Sequence, residues 1–268
     1  MSTTLLHISD THFGTEQAPV VAALEQLAAE QKPGLAVLSG DITQRATVQQ
    51  FAAARAFMDR LPVTRWIAIP GNHDIPLFNL PVRLLDPYRH YRGAFGADLA
   101  PSLETDEWLV ISHKTTRRWR HEDGEISARQ IERTAQRLRQ ARPGQLRVLV
   151  VHQPVAAPTS TDAKNLLHGA SAATARWAEA GADMVLGGHI HLPCVLPMQT
   201  TGDNGARLWA VQAGTAVSSR VRGSSPNSVN LLRPEFVDGR RGCSVERWDY
   251  DSASTRFRLA HTEALKLA

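Results

Sequence analysis

Trp66-Ile67-Ala68-Ile69-Pro70-Gly71-Asn72-His73-Asp74 is the stretch whose reading decides the fold. Its first four residues are apolar and β-prone, and the Pro-Gly pair breaks the run. Gly71 to Asp74 should therefore leave the carboxyl end of a strand. In an open α/β sheet that is where ligands bind. A turn favours glycine and asparagine for backbone reasons alone, and Gly71 is read as the backbone freedom that sets Asn72 beside His73. An amide oxygen, an imidazole and a carboxylate within one turn are still a concentration of metal-binding and proton-transfer groups.

The same pattern recurs toward the amino terminus. Leu5-Leu6-His7-Ile8 reads as a short buried strand that ends at Ser9-Asp10-Thr11-His12. In an extended segment alternate side chains share a side, so Asp10 and His12 could face one ion. Residues 19–30 carry helical spacing up to Lys32-Pro33-Gly34, then Leu35-Ala36-Val37-Leu38 reads as a second strand running into Ser39-Gly40-Asp41. Residues 47–60 form a second amphipathic helix before the opening stretch. Strand, helix, strand, helix, strand argues for a parallel sheet with right-handed crossovers.

Downstream, residues 75–101 lapse into Pro- and aromatic-rich sequence, read as an insertion over the sheet's carboxyl end that could act as a lid, with Tyr88, Arg89, His90 and Arg92 as candidate substrate contacts. Residues 107–112 make a fourth strand, and Lys114 to Arg120, the densest basic run, leaves its end; Arg117 or Arg118 is a candidate for holding a substrate phosphate. A helix over 127–141 starts at an N-cap serine, Ser127, and stops at Pro143-Gly144. The strand at 146–151 ends at His152, and after a helix over 171–180 the strand at 183–186 ends at Gly187-Gly188-His189-Ile190-His191. Beyond Leu192 short strands are expected at 208–212, 228–232, 244–248 and 256–259, forming a second, more antiparallel sheet packed on the first.

Five polar motifs thus follow five apolar runs, and one sheet edge could gather them all. Five of the 11 histidines lie in them; His7, His90, His121, His168 and His261 are assigned to packing or surface, and His113 stands apart because it also follows a strand.

Composition bounds the rest. A chain of 268 residues with 43% hydrophobic content can bury a large single core. One domain over 1–268 is expected, with 75–105 as the insertion and 205–268 mainly second-sheet strands. No run approaches the roughly 18 apolar residues of a membrane helix, and no leader-like start is seen, so a cytoplasmic location without membrane contact is expected. The two cysteines, Cys194 and Cys243, read as reduced thiols. A net charge of +4 without a long basic stripe permits anionic substrates and gives duplex binding little support.

In order, type and strand-end context, the set Asp10-x-His12, Gly40-Asp41, Gly71-Asn72-His73-Asp74, His152 and Gly188-His189-x-His191 resembles the calcineurin-like metallophosphoesterases, and more narrowly their bacterial class III cyclic-nucleotide phosphodiesterases. The resemblance spans residues 10–191. It implies a four-layer α/β/β/α sandwich, two packed mixed sheets flanked by helices. It also implies two divalent ions per chain, with Asp10, His12 and His191 on one, Asn72, His152 and His189 on the other, Asp41 bridging both, and His73 as a catalytic general acid rather than a ligand. Such an ion pair binds a phosphoryl oxygen and brings a bridging water near pKa ~7. Imidazole, carboxylate and amide donors without thiolate suit manganese, iron or zinc better than magnesium. Gln44 before Arg45 departs from the acidic residue of the protein-phosphatase branch and argues against that activity. The resulting expectation is a phosphodiesterase on small phosphoesters such as cyclic nucleotides. A DNA nuclease, a phosphomonoesterase and a catalytically inactive interaction scaffold are the alternatives, and the sequence carries no signal of oligomeric state.

Overall fold

Each short apolar run does become a strand, and each amphipathic segment a helix laid against it. The computed structural model describes residues 3–120, 122–199, 207–237 and 240–267. In chain order the elements are β1 (Leu5–Ile8), α1 (Ala18–Gln31), β2 (Leu35–Leu38), α2 (Val48–Arg60), β3 (Arg65–Ala68), α3 (Leu80–Leu85), α4 (Arg89–Phe95), β4 (Ser102–Glu104), β5 (Trp108–Ser112), α5 (Ala128–Arg139), β6 (Leu146–Val150), α6 (Ala170–Glu179), β7 (Met184–Gly187), β8 (Cys194–Gln199), β9 (Arg207–Gln212), β10 (Ser228–Val237), β11 (Arg240–Asp251) and β12 (Arg256–Lys266).

The strands build two mixed six-stranded sheets, ordered β12-β11-β10-β1-β2-β3 and β4-β5-β6-β7-β9-β8. Side-chain alternation along each strand explains the layers. Leu5, Val37 and Ile67 of the first sheet face Val148, Leu186 and Trp209 of the second across a shared apolar interior. Their neighbours Leu6, Ile8 and Leu38 point the other way, onto Leu24, Phe51 and Phe57 of α1 and α2. Leu149 and Val185 likewise pack on Leu138 and Trp177 of α5 and α6. Strands covered on both faces read as unbroken apolar runs, which is why β1, β2, β6 and β7 stand out in sequence.

The expectation of one parallel sheet with a separate antiparallel sheet is corrected by this topology. β1, β2 and β3 are parallel neighbours in one sheet, whereas β5, β6, β7 and β9 are parallel neighbours in the other. The C-terminal strands do not form a sheet of their own: β8 and β9 extend the second, and β10 to β12 extend the first through the antiparallel pair β1/β10. β10 to β12 are also longer than their apolar cores suggest. β12 is mostly exposed, and Pro234 of β10 lies beyond Leu232, the last residue paired with β1, where its missing N–H interrupts nothing on that side.

The 75–101 insertion holds α3 and α4. Its aromatic residues turn inward: Tyr91 Oη donates to Ala68 O at 2.8 Å and its ring meets Phe51 and Phe95, while Tyr88 Oη reaches Thr116. His90 Nδ1 lies 2.8 Å from Ala46 O, and Arg92 is paired with Asp86. Tyr88, Arg89, His90 and Arg92 are therefore absent from the central cleft described below, because a long connection fixes itself with its own side chains. Cys194 and Cys243 are both free thiols. Among the described residues no helix is long and apolar enough to cross a membrane. His121 lies outside the described residues.

Candidate metal centre

The loops leaving β1, β2, β3, β6 and β7 converge, three from one sheet and two from the other, so the carboxyl ends of both sheets form the site together. The first two loops run side by side, with Asp10 N on Gly40 O at 3.1 Å and His12 N on Asp41 O at 2.9 Å. The sheets are tied across the site by His152 Nδ1, 2.9 Å from Ser39 O.

All the residues singled out in the motifs arrive in one place. Asp10, His12, Asp41 and His191 form one group of donors and Asp41, His152 and His189 a second, each with its donor atoms within 4.8 Å of one another. Asp41 belongs to both. Asn72 Oδ1 joins the second group, 3.1 Å from His152 Nε2 and 3.0 Å from His189 Nδ1. His73 belongs to neither group, though its ring centroid lies 4.8 Å from that of His12.

The polarity of the hydrogen bonds shows that the donor set fits cations. A carbonyl oxygen only accepts, so the bonds of His152 Nδ1 to Ser39 O and of His191 Nδ1 to Arg220 O, at 2.9 and 2.5 Å, put the proton on those nitrogens. The other nitrogen of each neutral ring then directs a lone pair at further acceptors. His152 Nε2 is 3.2 Å from Asp41 Oδ1, and His191 Nε2 is 3.2 Å from Asp10 Oδ1 and 3.1 Å from His12 Nε2. Lone pairs converging on lone pairs need a proton or a cation between them. Two divalent ions would satisfy both groups, with the His152 and His191 rings each oriented by a carbonyl behind it.

The electrostatics agree. Burial lowers His12 to about 3 and His189 to about 4, leaving both neutral and able to ligate. Burial also acts on His152 and His191, but the Asp41 and Asp10 carboxylates outweigh it, raising His191 and bringing His152 to about 9. Asp10 and Asp41 respond inversely, since the histidines beside them overcome burial and hold both carboxyls well below the usual range. The metal-free site thus holds at least one proton at pH 7 where an ion would sit. Below pH ~9 metal affinity should rise with pH, because a bound proton must leave. Calorimetric titration of manganese in buffers of different ionisation enthalpy is expected to show release of at least one proton per chain at pH 7; no release would refute this reading of His152.

The backbone here is unusual. Asp10, His12, Asp41, His189 and His191 have φ of 53°, 41°, 47°, 73° and 55°, five of the eight non-glycine residues with positive φ among those described. This corrects the extended-segment argument for Asp10/His12 and His189/His191. Each pair faces one centre through two left-handed residues around an intervening one, not through strand pleating. Such conformations are sterically costly and cluster where structure over-determines them.

Gly71 is also corrected. Its φ of −93° is open to any residue; what it supplies is space, since a Cβ there would collide with the backbone nitrogen and carboxylate of Asp41. Asp74 joins the same two loops from beneath. Its carboxylate accepts from Gly71 N at 2.8 Å, Ile42 N at 3.0 Å, and Thr43 N and Oγ1 at 2.8 Å each. Burial and the nearby Asp41 push it up to about 7 against those four donors.

Of the donors, Asp41, Asn72, His189 and His191 line a cleft of about 680 Å³ whose lining also carries Arg220 and Arg222. Arg117 and Arg118 do not line it. Arg117 donates to Thr116 O and faces Glu125, while Arg118 donates to Leu84 O and lies over Trp119. Ile75 and Leu77 represent the insertion only in a smaller recess beside His73. His113 packs flat on Trp177, its centroid 5.3 Å away, with Thr134 Oγ1 at 3.2 Å, and burial lowers it to about 4; its role is structural. Arg220 and Arg222 were not legible as site residues. The signal was β9: read as a parallel neighbour of β7, it would have placed the following loop at the same sheet end.

Residues 3–193 match the family model described as calcineurin-like phosphoesterase. No match was found among curated proteins. Among solved structures, the chain is similar to a purple acid phosphatase from yellow lupin (Lupinus luteus) seeds, with 12% identity, a TM-score of 0.75, and coverage of 98% of this chain and 53% of that one, so it spans about half the lupin protein. It is also similar to a dimetal phosphatase from Danio rerio, with 12% identity, a TM-score of 0.66, and coverage of 100% and 99%. A third similarity is to Vps29 of Entamoeba histolytica complexed with zinc, with 11% identity, a TM-score of 0.52, and coverage of 98% and 100%. At these identities the likeness speaks for the fold.

Proposed function

Because the chain belongs to the calcineurin-like phosphoesterase family, we propose that it is a dinuclear metal-dependent phosphodiesterase acting on small phosphodiesters such as cyclic nucleotides, with Asp10, His12 and His191 on one ion, Asn72, His152 and His189 on the other, and Asp41 shared. The observation that carries this reading is the pair of donor groups meeting at Asp41 on the floor of one cleft. The volume suits a small ligand. The donor chemistry favours manganese, iron or zinc.

What two such cations contribute when bound is Lewis acidity toward a phosphoryl oxygen. The remaining work falls to side chains. Asp41 would supply the carboxylate common to both ions, and its Oδ1 also accepts from His73 N at 2.8 Å, so the imidazole is placed by the candidate shared ligand itself. His73 Nδ1 donates to Gln44 O at 3.1 Å, which fixes the ring and leaves Nε2 facing the cleft. In the doubly protonated ring that nitrogen carries the proton we assign to the leaving alkoxide, while Nδ1 keeps its own on Gln44 O. Gln44 thus supports the histidine through its main chain, a role its side-chain type does not reveal.

The test is a panel assayed with manganese, iron and zinc: bis(p-nitrophenyl) phosphate, p-nitrophenyl phosphate, a 3′,5′-cyclic nucleotide and DNA. Metal-dependent turnover of the small diesters above the monoester is expected. The reverse order would make the protein a phosphomonoesterase, turnover of DNA alone a nuclease, and no hydrolysis with any metal would refute the reading.

A further inference from the structure

We propose that the Arg220 guanidinium is an anion clamp that binds a non-bridging oxygen of the phosphoryl group in the cleft, making Arg220 a substrate-binding residue. The proposal rests on the phosphoesterase reading above and adds to it a residue outside every motif of the metal centre.

Four observations support it. Arg220 borders both the main cleft and the recess beside His73, and its Nη1 lies 2.8 Å from Gln44 Oε1 and 3.3 Å from His73 Nε2. The charge therefore stands beside the group assigned to proton transfer.

Among the described residues no carboxylate lies within ion-pair distance of that charge, although Glu122 borders the same two cavities. Among the described residues Arg220 forms no ion pair, whereas Arg222 on the same wall is held by the buried Asp162 at 2.7 Å and Arg117 faces Glu125. The partners of Arg220 are a neutral amide oxygen and an imidazole nitrogen. A half-buried guanidinium with no anionic partner is desolvated without an opposite charge within reach to offset it, and an anion entering the cleft supplies one.

Its donors are still available. A guanidinium has five N–H groups in a fork that matches phosphate oxygens. Both contacts above use Nη1; Nε and Nη2 make no hydrogen bond among the described residues.

Finally, its backbone is anchored to the metal centre. Arg220 O accepts from His191 Nδ1 at 2.5 Å and from Thr215 Oγ1 at 3.0 Å. The root of the side chain is thus registered against a candidate ligand, and removing the side chain leaves that carbonyl in place.

The test uses manganese-loaded protein and two readouts, the affinity for inorganic phosphate by calorimetry and KM for bis(p-nitrophenyl) phosphate. Arg220→Ala should weaken phosphate binding and raise KM by roughly ten- to a hundred-fold, the range for losing hydrogen bonds to a charged group. Metal content and melting temperature should stay unchanged, and Arg220→Lys should recover part of the affinity, since it keeps the charge and loses the fork. Gln44→Glu keeps the arginine but gives it a carboxylate partner, and should weaken phosphate binding as well. Unchanged phosphate affinity in Arg220→Ala would overturn the clamp. If Arg220→Ala loses metal or fails to fold, Gln44→Glu decides, and unchanged affinity there overturns it. Absence of hydrolysis in the unsubstituted protein sinks the phosphoesterase reading and the clamp together, whereas hydrolysis with phosphate affinity unaltered in both variants sinks the clamp alone.

Discussion

The Asp41→Ala protein is expected to lose most of its bound metal and, with it, roughly a thousand-fold or more in kcat/KM, beyond the ~10²- to 10³-fold typical of deleting one stabilising donor. Asp41 alone belongs to both donor groups, so one substitution weakens two sites. Its carboxylate also lies 3.2 Å from His152 Nε2 and 3.8 Å from His12 Nε2, and takes the His73 main-chain N–H. Without it the four imidazoles, the Asn72 amide oxygen and the Asp10 carboxylate would have to hold two cations with no anion between them. Elemental analysis of purified protein, alongside the diester assay, checks this directly. A full complement of two ions in the variant would remove Asp41 from its shared position.

For His73→Ala the expectation is different in kind. Both ions should remain, because His73 lies outside both donor groups, while kcat should fall by roughly 10²- to 10⁴-fold, the usual contribution of a positioned acid. The loss should depend on the leaving group. An alkoxide needs a proton as it departs, whereas p-nitrophenolate departs unaided, so the variant should be crippled on an alkyl diester and far less affected on a p-nitrophenyl one. An equal loss on both substrates would show that His73 acts by some means other than protonation. Lost metal would make it structural.

The candidate donors were legible in the sequence because each interrupts an apolar strand with residues that have no packing reason to be there. Asp10, Asp41, Asn72, His152 and His189 needed only strand ends to be found. The division of those strands between two sheets was not legible: Leu35-Ala36-Val37-Leu38 and Leu146-Arg147-Val148-Leu149 are equally apolar, and nothing local records which neighbour a strand hydrogen-bonds. β12 was truncated because an exposed strand shows little of its period. The left-handed backbone at the donors is likewise invisible, since Asp and His favour that region over other side chains but still occupy it rarely. Arg220 escaped because its loop follows β9, whose parallel pairing with β7 links residues far apart in the chain.

The same left-handed donors also bear on how the chain can change over time. At Asp10, His12, Asp41, His189 and His191 a glycine would relax the backbone by about 1 kcal/mol, and at the two aspartates it would also remove a buried charge. A descendant that no longer used metal would therefore gain stability by discarding these residues, while one that depends on metal must retain the strain. Selection for activity and selection for stability oppose each other at these five positions, and there a loss of function would be rewarded soonest.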